Sequence, residues 1–155
     1  MTRGPEAWGP TLLRLVLGVI YIAHGWYAAT VVGVQGMTAY MPRMGYPPAA
    51  APWLAWYLLV AHLGGGLLLL LGLWTRVAAL AQVPIMASAT FLLHFPQGFM
   101  LKVQTIETPG GPRTIVAGYE YALLVLVATL ALALTGAGRL SVDGWWAQRP
   151  RIEVP

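Results

Sequence analysis

The sequence predicts an all-α integral membrane protein, an antiparallel four-helix bundle with a short extracytoplasmic β-hairpin between its third and fourth helices. Three observations lead there. Of 155 residues, 58% are apolar and only 9% charged, too few solvating groups to cover a water-soluble globule of this size. Apolar segments of spanning length recur at about residues 10–33, 53–74, 77–95 and 116–137, so residues 1–155 are expected to form a single membrane domain. Aromatic and basic residues cluster at the ends of these segments, where amphipathic rings and charges meet the membrane interfaces.

The short polar head ends at Trp8, an interfacial anchor, and helix 1 starts near Pro10, a residue suited to a first helical turn. Arg3 followed by an apolar stretch resembles a signal peptide. However, Arg14 and His24 interrupt the run and no secreted domain follows, so a retained first helix is expected. Arg14 lies one turn inside, close enough to snorkel to the headgroups. Gly18 and Gly25, seven residues apart, share nearly one face and mark a close helix contact.

Residues 34–52 carry Gly36, Gly45 and the prolines Pro42, Pro47, Pro48 and Pro52, the composition of a structured connector that does not span. Helix 2, from Trp53 to Trp74, holds one ionisable side chain, His62, followed closely by Gly64, Gly65 and Gly66; its 22 residues reach about 33 Å. Gly65 and Gly66 are expected at a helix-packing face. Thr75-Arg76 links helices 2 and 3 as an antiparallel hairpin, with Arg76 as an interfacial charge. In helix 3, Pro84 removes a backbone hydrogen bond and should kink the segment 80–84.

The period changes after residue 96. β-branched residues in 102–107 and 113–116 flank Thr108-Pro-Gly-Gly-Pro112, the pattern of a small hairpin. Helix 4 begins near Gly118, contains Glu120 and stops at Gly136 and Gly138. The tail, with Trp145 and Trp146, is expected along the membrane surface.

Basic residues give an orientation. Arg3, Arg14, Arg76, Arg139, Arg149 and Arg151 fall on the face shared by the termini, against Arg43, Lys102 and Arg113 on the other. This asymmetry places both termini in the cytoplasm. The net charge of +4 is scattered along the chain and is no nucleic-acid footprint, and with no cysteine, disulfides and thiolate metal sites are excluded.

Four polar residues on four helices, His24, His62, His94 and Glu120, fall in the expected outer half of the bundle. An ionisable group in hydrocarbon is costly unless paired, which makes each a ligand-site candidate. Apposed histidines suit haem iron, and three histidines with a carboxylate suit a divalent metal. A histidine and a carboxylate beside an apolar cleft suit a quinone headgroup. Interhelical hydrogen bonding without any ligand is the competing account. No metal is assigned, and haem is ranked behind quinone.

Leu13-Arg14 with Leu17-Gly18, His24-Gly25-Trp26, residues 65–76 reading GGLLLLLGLWTR, Met86, His94, Gly118-Tyr-Glu120 and residues 136–143 reading GAGRLSVD together give the chain a further character. In order and spacing it resembles the DoxX family of small four-helix membrane proteins from about Leu12 to Asp143. The resemblance implies a multi-pass protein of the prokaryotic cytoplasmic (inner) membrane with a loose redox association. Some relatives resemble membrane subunits of thiosulfate:quinone oxidoreductases. His62 departs from the family pattern, in which a glutamate often precedes the glycines of helix 2. Two function classes follow: a quinone-linked oxidoreductase subunit relying on a partner polypeptide, or a structural accessory subunit packed against a larger energy-transducing complex.

Overall fold

Three helical stretches are long and apolar enough to cross a bilayer in the computed structural model, which describes residues 5–108 and 111–148. Arg3, Arg149 and Arg151 lie outside the described residues.

The first stretch, Trp8–Met44, is built from α1 (Trp8–Tyr27), a π-helical segment Ala28–Val32, α2 (Gly33–Tyr40) and a 3-10 turn Met41–Met44. Gly33, at φ 71° and ψ 160°, breaks its course, a conformation open mainly to glycine. Helix thus continues into the stretch expected as connector. The prolines begin only at Pro42, and Met37 gives α2 an apolar contact with Ala55 and Leu59 of the second stretch. That second stretch comprises α3 (Ala51–Val60), a π-helical segment Ala61–Gly65 and α4 (Gly66–Leu71). The third comprises α5 (Thr75–Ser88), with Pro84 inside it, a π-helical segment Ala89–His94 and a 3-10 turn Phe95–Gln97.

Strands β1 (Lys102–Thr108) and β2 (Gly111–Ala117) pair antiparallel from Lys102↔Ala117 to Thr108↔Gly111, the hairpin that the β-branched runs predict. Then comes α6 (Glu120–Thr135), apolar but only 16 residues and about 24 Å long. A short helix, α7 (Val142–Trp146), ends the described chain; its N-cap Ser141 accepts from the Gly144 N–H.

Glycine decides how closely the stretches approach. A Cβ on Gly18 would stand 3.0 Å from the Gly66 carbonyl oxygen, and one on Gly25 2.9 Å from His62 Cβ, so α1 runs antiparallel to α3 and α4. A Cβ on Gly66 would meet Ile22 at 2.8 Å, and one on Gly65 would meet Gln82 Nε2 at 2.8 Å. All four glycines expected at packing faces are therefore occupied by contacts within the chain.

Leu17, Tyr21, Leu69, Ala78, Ala79, Val125, Leu132 and Ala133 form the main core, joining α1, α4, α5 and α6. The exterior inverts the pattern of a soluble protein. Val16, Val60, Leu124 and Leu134 are exposed, while Arg14, Gln82, Thr11 and Thr129 are buried. That distribution suits a hydrocarbon surround, in which apolar surface needs no cover and polar groups need internal partners.

Candidate functional site

Two polar clusters occupy the interior, one near each end of the helices. Arg14 organises the first. It is 1% exposed, and its guanidinium donates to five backbone carbonyls: Leu69 (2.9 Å) and Leu70 (2.5 Å) at the end of α4, and Ala137 (2.9 Å), Arg139 (3.3 Å) and Leu140 (2.5 Å) beyond α6. The expected snorkelling to the headgroups does not occur. Carbonyls at two helix ends draw the fork inward, where its planar donors satisfy those of Leu70, Ala137 and Leu140 and add to the Gly72 N–H on Leu69 and the Thr11 hydroxyl on Arg139.

Asp143 lies within electrostatic reach of Arg14 and accepts from the backbone N–H of Trp74 (2.7 Å) and Thr75 (2.9 Å), capping α5. Gly72, at φ 65°, leaves room for Arg14 and for Ser141, whose Cβ would lie 2.5 Å from a Cβ on residue 72. Gly138, at φ 67°, sits against Thr11, whose single hydroxyl proton is shared between the Ala7 and Arg139 carbonyls, each 3.0 Å away. Residues 11–14, 72–75 and 137–143 are thus tied into one knot.

The second cluster is centred on His62, in the π-helical segment of the second stretch. The side chain is 6% exposed, and its ring meets that of Tyr21 edge-on with centroids 5.2 Å apart. Thr129 donates to the Val125 carbonyl (2.7 Å), so the phenol of Tyr21 is the donor in its 2.5 Å bond to the Thr129 hydroxyl. Gln82 of α5, fully buried, reaches through the gap at Gly65 and donates from Nε2 to the Ala61 carbonyl at 2.5 Å. Two atoms here have no hydrogen-bond partner, His62 Nδ1 and Gln82 Oε1, and the two side chains are near enough to interact. Leaving such groups unpaired costs about 1–3 kcal/mol each.

An apolar cavity of about 230 Å³ lies among α2, α3 and α5, lined by residues including Met37, Met41, Leu58, Ile85 and Ser88. Leu58 lies four residues before His62 and Ile85 three after Gln82, so the polar pair sits one helical turn deeper on the same faces. At the rim, the Tyr46 phenol donates to the Ser88 hydroxyl, itself bound to the Pro84 carbonyl (2.7 Å). The Tyr57 phenol donates to the Ala81 carbonyl at 2.5 Å.

The four residues singled out from sequence do not form one cluster. His24 is exposed on α1, with Nδ1 3.0 Å from the Ile20 carbonyl oxygen, although it stands within electrostatic reach of His62. His94 and Glu120 belong to the base of the hairpin. His94 Nδ1 is 3.4 Å from Gln97 Oε1, which accepts from the Gly118 N–H at 3.3 Å, and Glu120 accepts from the Leu101 N–H at 2.9 Å. Among the described residues no group of three or more histidine, aspartate or glutamate side chains is arranged to hold a metal ion. Gln82, Tyr21 and Thr129 are buried beside His62 but are not among the four residues singled out from sequence. Gln82, a lone amide inside an apolar segment, was the sequence signal available.

Fold and buried clusters define a multi-helix integral membrane protein with two polar clusters inside an apolar core and an apolar exterior. The chain belongs to the DoxX family, whose model matches residues 9–95. It is similar to Inner membrane protein YqjF of Escherichia coli, at 27% identity over 87% of this chain and 89% of the relative. It is also similar to "Putative oxidoreductase CatD" of Bacillus subtilis, at 25% identity over 87% of this chain and 84% of the relative. No solved structure matches.

Proposed function

We propose that this chain is a four-span subunit of a prokaryotic cytoplasmic membrane, with both termini cytoplasmic and α6 as its fourth span, and that it binds a quinone-class ligand in the apolar cavity. The observation that carries this reading is the unpaired His62 Nδ1 and Gln82 Oε1 one turn beneath that cavity. An imidazole N–H and an amide carbonyl form a donor beside an acceptor. The oxidised headgroup presents carbonyl acceptors and the reduced one hydroxyl donors, so the pair matches both forms. When bound, a quinone supplies two-electron, two-proton redox chemistry. Met37, Met41, Leu58 and Ile85 exclude water from the cavity, and His62 holds or releases a proton at Nδ1.

Two further facts support the reading. A relative bears the name of an oxidoreductase. The cavity's lining is almost wholly apolar, which suits an isoprenoid-bearing molecule arriving from the bilayer. Haem held by the histidines is less well supported, because His24 is exposed while His62 is buried. As a structural accessory subunit the chain would need a docking face other than Gly18, Gly25, Gly65 and Gly66, which make contacts within the chain.

The test is quinone content after purification in mild detergent from native membranes, read by mass spectrometry of the organic extract. Near-stoichiometric quinone on the unaltered chain, falling at least tenfold in His62→Leu and Gln82→Leu with unchanged melting, supports the proposal. Equal content in all three chains, or none in any, overturns it.

A further inference from the structure

A second cavity, of about 570 Å³, opens at the other end of the molecule, where the start of α1, the start of α5 and the end of α6 meet. We propose that it is a binding site for the phosphodiester headgroup of a membrane glycerophospholipid. This inference does not depend on the quinone reading.

Four observations carry it. Arg76 lines the cavity, is exposed, and has no hydrogen-bond or ion-pair partner among the described residues. The bare backbone of Gly136 leaves the guanidinium its place, since a Cβ there would lie 3.3 Å from Arg76 Nε. Thr75 also lines the cavity; its side chain is fully buried, yet its hydroxyl oxygen has no hydrogen-bond partner. Finally, Trp8 and Trp74 are exposed around this end, so the cavity lies at headgroup depth.

The chemistry is that of an anion. Asp143 lines the same cavity, but its oxygens already accept from two backbone N–H groups. With Arg14 within electrostatic reach of Asp143, the neighbourhood of Arg14, Arg76 and Asp143 is net positive. A phosphodiester has two anionic oxygens, one suited to the planar guanidinium and one to a hydroxyl donor, as Arg76 and Thr75 supply. An apolar wall argues for a lipid over free phosphate. Pro10 and Val77 line the cavity, and exposed Leu80 continues from Val77 one turn further along α5, giving acyl chains a surface that inorganic phosphate cannot use.

The experiment is native mass spectrometry of the intact chain in nonionic detergent with added phosphatidylglycerol. One lipid should survive activation that strips the rest. Arg76→Gln should lower its retention at least tenfold and Thr75→Val about threefold. Thr75→Ser and Arg43→Gln, at the far end, should match the unaltered chain. Inorganic phosphate at millimolar concentration should leave the lipid in place. Full retention in Arg76→Gln, equal loss in Arg43→Gln, or displacement by inorganic phosphate overturns the proposal. Arg76 is exposed, so its variant folds and the answer does not rest on the buried threonine.

Discussion

Arg14 and His62 are both ionisable side chains buried between helices, and their surroundings treat them in opposite ways. Around Arg14 two separate pieces of chain have been bent to bring carbonyls within 2.5–3.3 Å of one guanidinium, using left-handed backbone at Gly72, Gly138 and Leu140. Around His62 the helices pack closely through glycine, yet a ring nitrogen and a facing amide oxygen are left without partners. A fully bonded cation reads as a fastening; an unpaired donor and acceptor beneath a cavity read as a site. The difference is thermodynamic, because the Arg14 guanidinium has spent its donors on carbonyls, whereas His62 and Gln82 keep hydrogen-bonding capacity to give to a ligand.

Breaking the Arg14 fastening should have the largest effect. Arg14→Leu removes the donor to five carbonyls and strands those of Leu70, Ala137 and Leu140, and we expect a loss of about 3–5 kcal/mol, read as failure to purify folded protein or as a large fall in melting temperature. Arg14→Lys keeps the charge without the fork and should fall between the two. Next comes Gly72→Ala, which combines a left-handed φ with a contact to Ser141; a cost of about 2 kcal/mol or more is expected in detergent unfolding. Asp143→Asn weakens the cap on α5 and should cost about 1 kcal/mol.

The other cluster should respond in the reverse sense. His62→Leu removes an unsatisfied group, so we expect melting to move by less than about 1 kcal/mol in equivalent stability while quinone retention falls tenfold. A large loss of stability there would make His62 a second fastening and erase the contrast. His24→Ala should do least, with stability and retention within twofold of the unaltered chain, since its side chain is exposed and bonds only within its own helix. A tenfold loss of retention in His24→Ala would move the site outward along α1.

Some of this was legible in the residues alone. Apolar runs marked the three helical stretches long enough to cross a bilayer and the shorter α6, β-branched segments around Pro-Gly-Gly-Pro gave the hairpin, and the paired glycines marked close contacts. The candidate site was legible only at His62. His24 and His62 lie at similar expected depth, but one ring faces outward and the other inward, and a depth estimate does not contain rotation about a helix axis. His94 and Glu120 close the base of the hairpin through Gln97, Gly118 and Leu101, away from His62.

Sequence by itself determined the solvent of this protein, because composition and segment length decide whether a chain can cover itself with polar groups. It also determined where glycine lets helices touch, since a missing Cβ is a local property. Only the tertiary structure decided the fate of the polar side chains. Whether Arg14 reaches lipid headgroups or stranded carbonyls depends on which helix ends stand beside it, and those ends arrive from residues 69–70 and 137–140. Which groups stand beside the unpaired His62 depends on the rotation of α5, which sets Gln82 near it from another helical stretch.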